Sequence, residues 1–375
     1  MIPVFEPVYG EEEIEAVVAA LRRGEISGTF GESIPAFERA FAAYVGCKHG
    51  IAVSNGTTAL HAAVAALELE PGDEVIVSAS TNIATALAVY HTGGLTVAAD
   101  SEPATWNMDL DLLEGLITPR TRAIIPVHLY GHPIDMDRLM AIAEKHGLRV
   151  IEDCAESHGA TVRGRMTGGF GDMACFSFYA NKIITTGEGG MVTTNDDGFA
   201  ARLRLLRNLA FTQPRFRHEV PGFNFRMTGY QAAMGLVQTG HIEEIIERKR
   251  RLAHRYNERL AGVDGLQIPR EEPWARHVYW MYAIALEESS RVSRDALTKQ
   301  LTADGIETRT FFCPMNLQPF LQKQPGFRAA PCPVAERLWR DGLYLPSSTR
   351  LTDDQIDFVA ARVRAALGQG VSAAR

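Results

Sequence analysis

The first half of the chain alternates short apolar runs with amphipathic stretches. Runs at 50–53, 74–78, 96–99, 123–127, 149–152, 174–178 and 190–194 are four or five residues long and mostly apolar. That pattern predicts strands buried on both faces. Between and after them, apolar residues recurring every three to four positions predict helices at 57–67, 83–91, 110–116, 136–146 and 199–206. Strands alternating with helices specify an α/β fold, with a mostly parallel seven-stranded sheet and helices on both faces. Ahead of this block, helical patterns at 11–22 and 34–44 flank a glycine-punctuated loop at 24–31.

A long helical tract covers 228–260, and the rhythm then changes. Strands are expected at 278–286 and 307–312, and helices at 294–304, 333–341 and 353–366. This is a smaller C-terminal α+β domain, so the expected division is 1–240 and 241–375. The small, polar tail after Gly368 is expected to fray.

A length of 375 residues suits two lobes better than one small core. The net charge of −7 and the lack of a basic block speak against nucleic acid as a partner. The richest basic stretch, Glu247 to Arg251, falls in a helical pattern and predicts a solvated helix face. Five scattered cysteines without metal-ligand spacing predict reduced thiols and no metal site. The first residues lack the pattern of a secretory signal, and no apolar run is long enough to span a bilayer. The expectation is a soluble, cytoplasmic protein without membrane contact.

Candidate chemistry centres on Lys182. An aromatic, apolar run from Phe176 leads to Asn181-Lys182, and a turn rich in Thr and Gly follows. A lysine at the mouth of a core is a poor solubility charge. Desolvation favours its neutral form, which Schiff-base chemistry with a carbonyl cofactor requires. A lysine snorkelling from a strand end is the plain alternative. Ser54-Asn55-Gly56-Thr57-Thr58 follows a strand and opens a helix, where Gly56 permits a tight turn. Unpaired amides of Thr57 and Thr58 there favour a phosphate, or Asn55 or Thr57 is an ordinary N-cap. Asp153 ends a strand, at the edge where open parallel sheets bind ligands. It can hold a protonated pyridine nitrogen or cap the next turn; Glu156, a helical turn on, can reach the same cofactor near its phenolic oxygen. Ser177 offers a hydroxyl to a phosphate. A phosphate cradle, a strand-end acid and a strand-end lysine, in that order, match a pyridoxal-phosphate enzyme of the aspartate-aminotransferase fold type I.

Longer stretches carry a resemblance. They include Asn55-Gly56-Thr57-Thr58-Ala59-Leu60-His61, Pro126-Val127-His128-Leu129-Tyr130-Gly131, Thr185-Thr186-Gly187-Glu188-Gly189-Gly190-Met191 and Gly222-Phe223-Asn224-Phe225-Arg226-Met227-Thr228. With these the chain resembles the DegT-type sugar aminotransferases over nearly its whole length. The resemblance implies a homodimer with two active sites at the subunit interface and pyridoxal 5'-phosphate as cofactor. It implies Lys182 as the Schiff-base lysine and Asp153 as partner of the ring nitrogen. It further implies Ser177, Thr57 and Thr58 as phosphate ligands, with Asn224 and Arg226 reaching the phosphate from the partner subunit. The implied reaction moves an amino group from an amino acid, glutamate in most of the family, to a keto substrate. One branch of the family carries histidine in place of the lysine and dehydrates its substrate; Asn181-Lys182 argues against that branch.

Two departures bear on the acceptor. Asn82 stands where family members carry an aromatic residue that stacks on the cofactor ring. Cys313 and Asn316 stand where part of the family has histidines near the substrate. These changes point to an acceptor other than GDP-4-keto-6-deoxymannose: another nucleotide-linked 4-ketosugar, or a small cyclic ketone or formyl compound. Ile26, Ser27, Asn181 and the loop 211–220 are further candidate substrate contacts, though a flexible surface loop explains the last equally well. A pyridoxal-phosphate enzyme of another reaction type, dehydratase-like, and a non-catalytic cofactor-binding regulator are the competing readings.

Overall fold

The computed structural model describes residues 1–368. The expectation of a fraying tail lies outside the described residues. The chain opens with helices α1 (Glu11–Arg22) and α2 (Ser33–Val45). The α/β block follows as β1 (His49–Val53), α3 (Gly56–Ala66), β2 (Glu74–Ser78), α4 (Ala84–His91), β3 (Leu95–Ala99), α5 (Leu110–Leu116), β4 (Thr121–Ile125), α6 (Met136–His146) and β5 (Arg149–Asp153). A small hairpin, β6 (Thr161–Val162) and β7 (Arg165–Met166), precedes β8 (Met173–Ser177), β9 (Gly190–Thr194), α7 (Asp197–Arg207) and the long α8 (Gly229–Leu260). The C-terminal part adds β10 (Leu266–Gln267), β11 (Ala275–Arg276), β12 (Tyr282–Leu286), α9 (Arg294–Ala303), β13 (Arg309–Thr310), α10 (Pro319–Gln322), β14 (Arg328–Ala329), α11 (Pro333–Asp341), β15 (Gly342–Leu345) and α12 (Asp353–Ala366).

The main sheet runs β1-β9-β8-β5-β4-β2-β3-β14. It has eight strands rather than the seven expected. The extra one, β14, is a two-residue segment of the C-terminal part that pairs in parallel with the edge strand β3. Nothing in a two-residue run sets it apart from loop, so periodicity does not find it. β9 alone runs opposite to the other strands of the sheet. The strands β2, β5, β8 and β9 are buried almost throughout, as expected for a sheet covered on both faces. A second sheet, β10-β12-β15-β13, lies in the C-terminal part of the chain, and β11-β6-β7 forms a third. The strands there are shorter than expected. Only 282–286 of 278–286 and 309–310 of 307–312 are strand.

Helix α8 joins the two parts. Thr228 caps its start: Gln231 Oε1 accepts the Thr228 N–H and hydroxyl. Its first turns pack on α1 and α2, with Gly235 leaving room for the ring of Phe37. The helix runs unbroken through 240/241, and from Leu252 on it enters the C-terminal core. Its buried stripe is Ile242, Ile246, Lys249, Leu252, Ala253, Tyr256 and Leu260. Lys249 therefore corrects the expectation of a solvated basic face. Arg248 and Arg251 are exposed, but Lys249 lies three residues from both Ile246 and Leu252 and points into the core. Among the described residues no helix is long and apolar enough to cross a membrane.

Candidate active site

In a parallel sheet every strand delivers its carboxyl end to the same edge. Here β2, β4, β5 and β8 do so, and a cavity of about 480 Å³ opens there. Asn55, Gly56 and Thr57 line it from the start of α3, and Thr81 and Asn82 from the turn after β2. Asp153, Ala155 and Glu156 enter from the end of β5, and Ser177, Tyr179, Asn181 and Lys182 from the end of β8. Trp280, Phe312 and Tyr344 close it from the C-terminal part.

The head of α3 forms one wall. Asn55 Oδ1 accepts the Thr58 N–H at 2.9 Å, and Thr58 Oγ1 accepts the Asn55 N–H at 3.1 Å. This capping box corrects one expectation: the Thr58 amide is not free, and Thr58 does not line the cavity. The amides of Gly56 and Thr57, at the first two helical positions, have no carbonyl one turn behind them and remain open. The reason for glycine at 56 also differs from the tight turn expected. Gly56 is absent from the positive-φ residues; instead, a Cβ there would lie 2.6 Å from Cβ of Ser177. The missing side chain lets the helix N-terminus and the Ser177 hydroxyl share one small space, a cradle of donors suited to a phosphate.

The opposite wall is charged. Asp153 is buried, and its carboxylate accepts from the Thr85 hydroxyl at 2.8 Å and the Ala155 N–H at 3.1 Å. Burial raises its pKa, while those bonds and the Lys182 charge oppose the rise. A buried carboxylate aimed into a cavity suits a cationic ring nitrogen. Glu156 Oε2 accepts the Tyr130 N–H at 2.7 Å, and burial pushes its pKa up to about 7 against the pull of Lys182. Lys182 is half-buried and opens onto the cavity. Loss of solvation lowers its pKa, with Glu156 and Asp153 opposing. The cavity thus joins phosphate donors, an acid for a ring nitrogen and an amine poised for imine formation. These residues fit pyridoxal phosphate.

Asn82 lines the cavity, and its Oδ1 accepts the Ala84 N–H at 3.0 Å, which caps the start of α4. Asn181 lines it as well. Cys313 and Asn316 do not; Asn316 Nδ2 donates to Glu336 at 2.7 Å, toward α11. Ile26 is exposed, and Ser27 bonds the Thr29 hydroxyl at 2.9 Å. Asn224 is exposed, and Arg226 donates to Asn208 Oδ1 at 2.9 Å. None of these four reaches the cavity of its own chain. Sequence reasoning missed Trp280 and Tyr344, which stand in apolar runs that read only as core. A separate buried cluster, His128, Glu152 and Cys154, has ligand atoms within 4.8 Å of one another. Both His128 nitrogens are engaged, with Glu152 and the Ile134 N–H, and Glu152 also takes the amides of Gly168, Phe170 and Gly171.

Fold and site together define an aminotransferase of the aspartate-aminotransferase fold type. Residues 7–364 match the DegT/DnrJ/EryC1/StrS aminotransferase family, and the chain belongs to it. It is 47% identical to GDP-perosamine synthase of Caulobacter vibrioides, over 90% of both chains. Among solved structures it is similar to Streptomyces venezuelae DesV in complex with a ketimine intermediate (38% identity, TM-score 0.88, 96% of this chain and 95% of that one). The putative sugar aminotransferase Spr1654 of Streptococcus pneumoniae, solved in a PLP form, is 28% identical with a TM-score of 0.92 over 98% of both chains. The expected family, fold class and transaminase activity are borne out.

Proposed function

We propose that this aminotransferase uses pyridoxal phosphate to move an amino group from an amino acid, with glutamate as donor, to a nucleotide-linked ketosugar. The observation that carries this is the single cavity in which Lys182, Asp153 and the open amides of Gly56 and Thr57 converge. The cofactor supplies a carbonyl for imine exchange and a ring that draws off the electron pair released at the donor's α-carbon. The chain does the rest. Gly56 and Thr57 amides with the Ser177 hydroxyl hold the phosphate, helped by the dipole of α3. Asp153, oriented by Thr85 and Ala155, keeps the ring nitrogen protonated. Lys182 Nζ, with its pKa lowered, takes the proton from the donor's α-carbon. Glu156 lies close enough to Lys182 for the two charges to feel each other. Trp280, Phe312 and Tyr344 keep water out from the far side.

The reading includes a homodimer. Asn224, Arg226, Ile26 and Ser27 lie on the surface of their own chain, so their contribution would be to a partner's site. An apolar groove of about 390 Å³, lined by Pro7, Tyr9, Ile14, Val17, Val18 and Met234, adjoins Ala180 and the 185–187 turn, and it supports burial against a second copy. Relatives named for GDP-linked and UDP-linked sugars support the nucleotide-linked acceptor. The further proposal that it is not GDP-4-keto-6-deoxymannose now rests on Asn82, since Cys313 and Asn316 do not line the cavity. Turnover of that sugar at a rate usual for the family would refute it.

The cofactor-loaded protein should be yellow and lose that colour with glutamate alone. Lys182→Ala should keep the fold and lose the bleaching. Colour unchanged by glutamate, glutamine and other donors would sink the donor half of the reading.

A further inference from the structure

Two lysines meet at one tryptophan. Trp280 lies just ahead of β12 and is buried. Its indole N–H donates at 2.6 Å to the carbonyl of Asn181, the residue directly before Lys182. Its ring face carries Lys182 Nζ, 3.7 Å from the centroid. Its backbone carbonyl accepts from Lys249 Nζ at 2.9 Å. Lys249 also donates to the Ser347 carbonyl at 2.6 Å, tying the Trp280 turn to the segment after β15.

A tryptophan that only fills space needs neither the indole N–H bond nor the lysine on its face, while the Lys249 bonds fix the backbone turn that carries it. An ammonium within about 6 Å of a ring face is attracted to it, and most strongly to an indole where water is displaced. That attraction exists only for the charged amine. Burial pulls the other way, toward the neutral form.

We infer that Trp280 is the positioning residue of Lys182: its N–H fixes the peptide that carries the lysine, its ring face parks Nζ while charged, and Lys249 clamps it from behind. Loss of the proton removes the attraction and frees Nζ to leave the ring face within the cavity. The inference rests on Lys182 being the reacting amine. Glu156 and Asp153 act on Nζ as opposite charges, the buried imidazole of His158 feels its charge, and Glu188, Tyr179 and Tyr344 line the same cavity. Burial keeps the imidazole and the Tyr344 phenol neutral, so Glu156, Asp153 and the ring are what favour the ammonium.

The test replaces Trp280 with a series of progressively fluorinated tryptophans, which weaken the ring's negative face without changing its shape. In the full-length, cofactor-free chain, the pKa of Lys182 is read from the pH dependence of its acetylation by peptide mass spectrometry. We expect it to fall stepwise, by about one pH unit at full fluorination. Trp280→Phe keeps a ring face and loses the N–H; it should speed hydrogen exchange at the Lys182 amide several-fold. A pKa unchanged across the series, or unchanged exchange in Trp280→Phe, overturns the inference. Neither readout involves amino transfer. Failure here leaves the transaminase reading standing, and bleaching retained in Lys182→Ala would sink that reading alone.

Discussion

Gly56→Ala tests the close approach of α3 to Ser177 in the candidate site. The added Cβ would stand 2.6 Å from Ser177 Cβ, 3.0 Å from its Oγ and 3.2 Å from its Cα. Two carbons need roughly 3.5 Å, so helix α3 and strand β8 must part by about 1 Å. Neither yields easily. β8 is paired on both sides, and α3 is pinned through Asn55, whose carbonyl lies against Gly190. Overpacking of this kind costs about 1–3 kcal/mol, and the gain from alanine over glycine in a helix returns less than about 1 kcal/mol. We expect a net loss of about 1–2 kcal/mol in urea unfolding of the cofactor-free chain. Displaced amides should weaken cofactor binding at least tenfold, about 1.4 kcal/mol, measured by quenching of tryptophan fluorescence. Ser177→Gly removes the atom that the new methyl meets. The double variant should therefore recover about 1 kcal/mol relative to the sum of the two single changes. Stabilities that add within about 0.5 kcal/mol would show that the contact with Ser177 is not what requires glycine at 56.

Other consequences concern buried charge. Burial brings the pKa of Lys249 down to about 7, below its value in the unfolded chain, so the folded protein releases this proton first. Stability from this residue should rise with pH from about 7 toward 10, by up to about 1.4 kcal/mol per unit. Lys249→Met should lack that rise in denaturant titrations, and parallel profiles would refute the argument. Burial alone would raise the pKa of Glu74, but bonds from Thr118, Arg120 and Arg328 carry it below the usual range. Its contribution is present above the unfolded pKa and lost as pH falls through the folded one. Glu74→Gln should cost about 1–3 kcal/mol at pH 7, and the gap should close in acid below pH 4; a gap that is constant with pH counts against it. Thr85→Val removes the hydroxyl held by Asp153 Oδ2 and should weaken cofactor binding several-fold in the same fluorescence assay, with no change expected if Thr85 merely fills space.

Much of the site was legible because it lies in sequence-local pieces. Gly56 and Thr57, Asp153 and Glu156, and Ser177 with Lys182 each follow one strand, and parallel strands deliver their ends to one edge. What was misread depends on partners distant in the chain. The Thr58 amide is the local exception: Asn55, three residues back, accepts it, and composition shows which residues can cap but not which bond wins. Lys249 sat in a basic run, and only the phase of α8 against the C-terminal core turns it inward. The family resemblance puts Asn316 near substrate, while the packing of α11 turns it to Glu336.

The sequence by itself determined the α/β order of elements, the family and the chemistry of the central lysine, because period, strand-end position and short motifs are local properties. Tertiary structure decided what surrounds that lysine. Trp280, Phe312 and Tyr344 come from a part of the chain about 100 residues or more beyond it, and their approach depends on α8 and the second sheet. It also decided why residue 56 is glycine, since that reason is the distance to Ser177, more than 100 residues away in the chain. Contacts of that span carry no periodic signal, and only closure of the fold brings them within bonding distance.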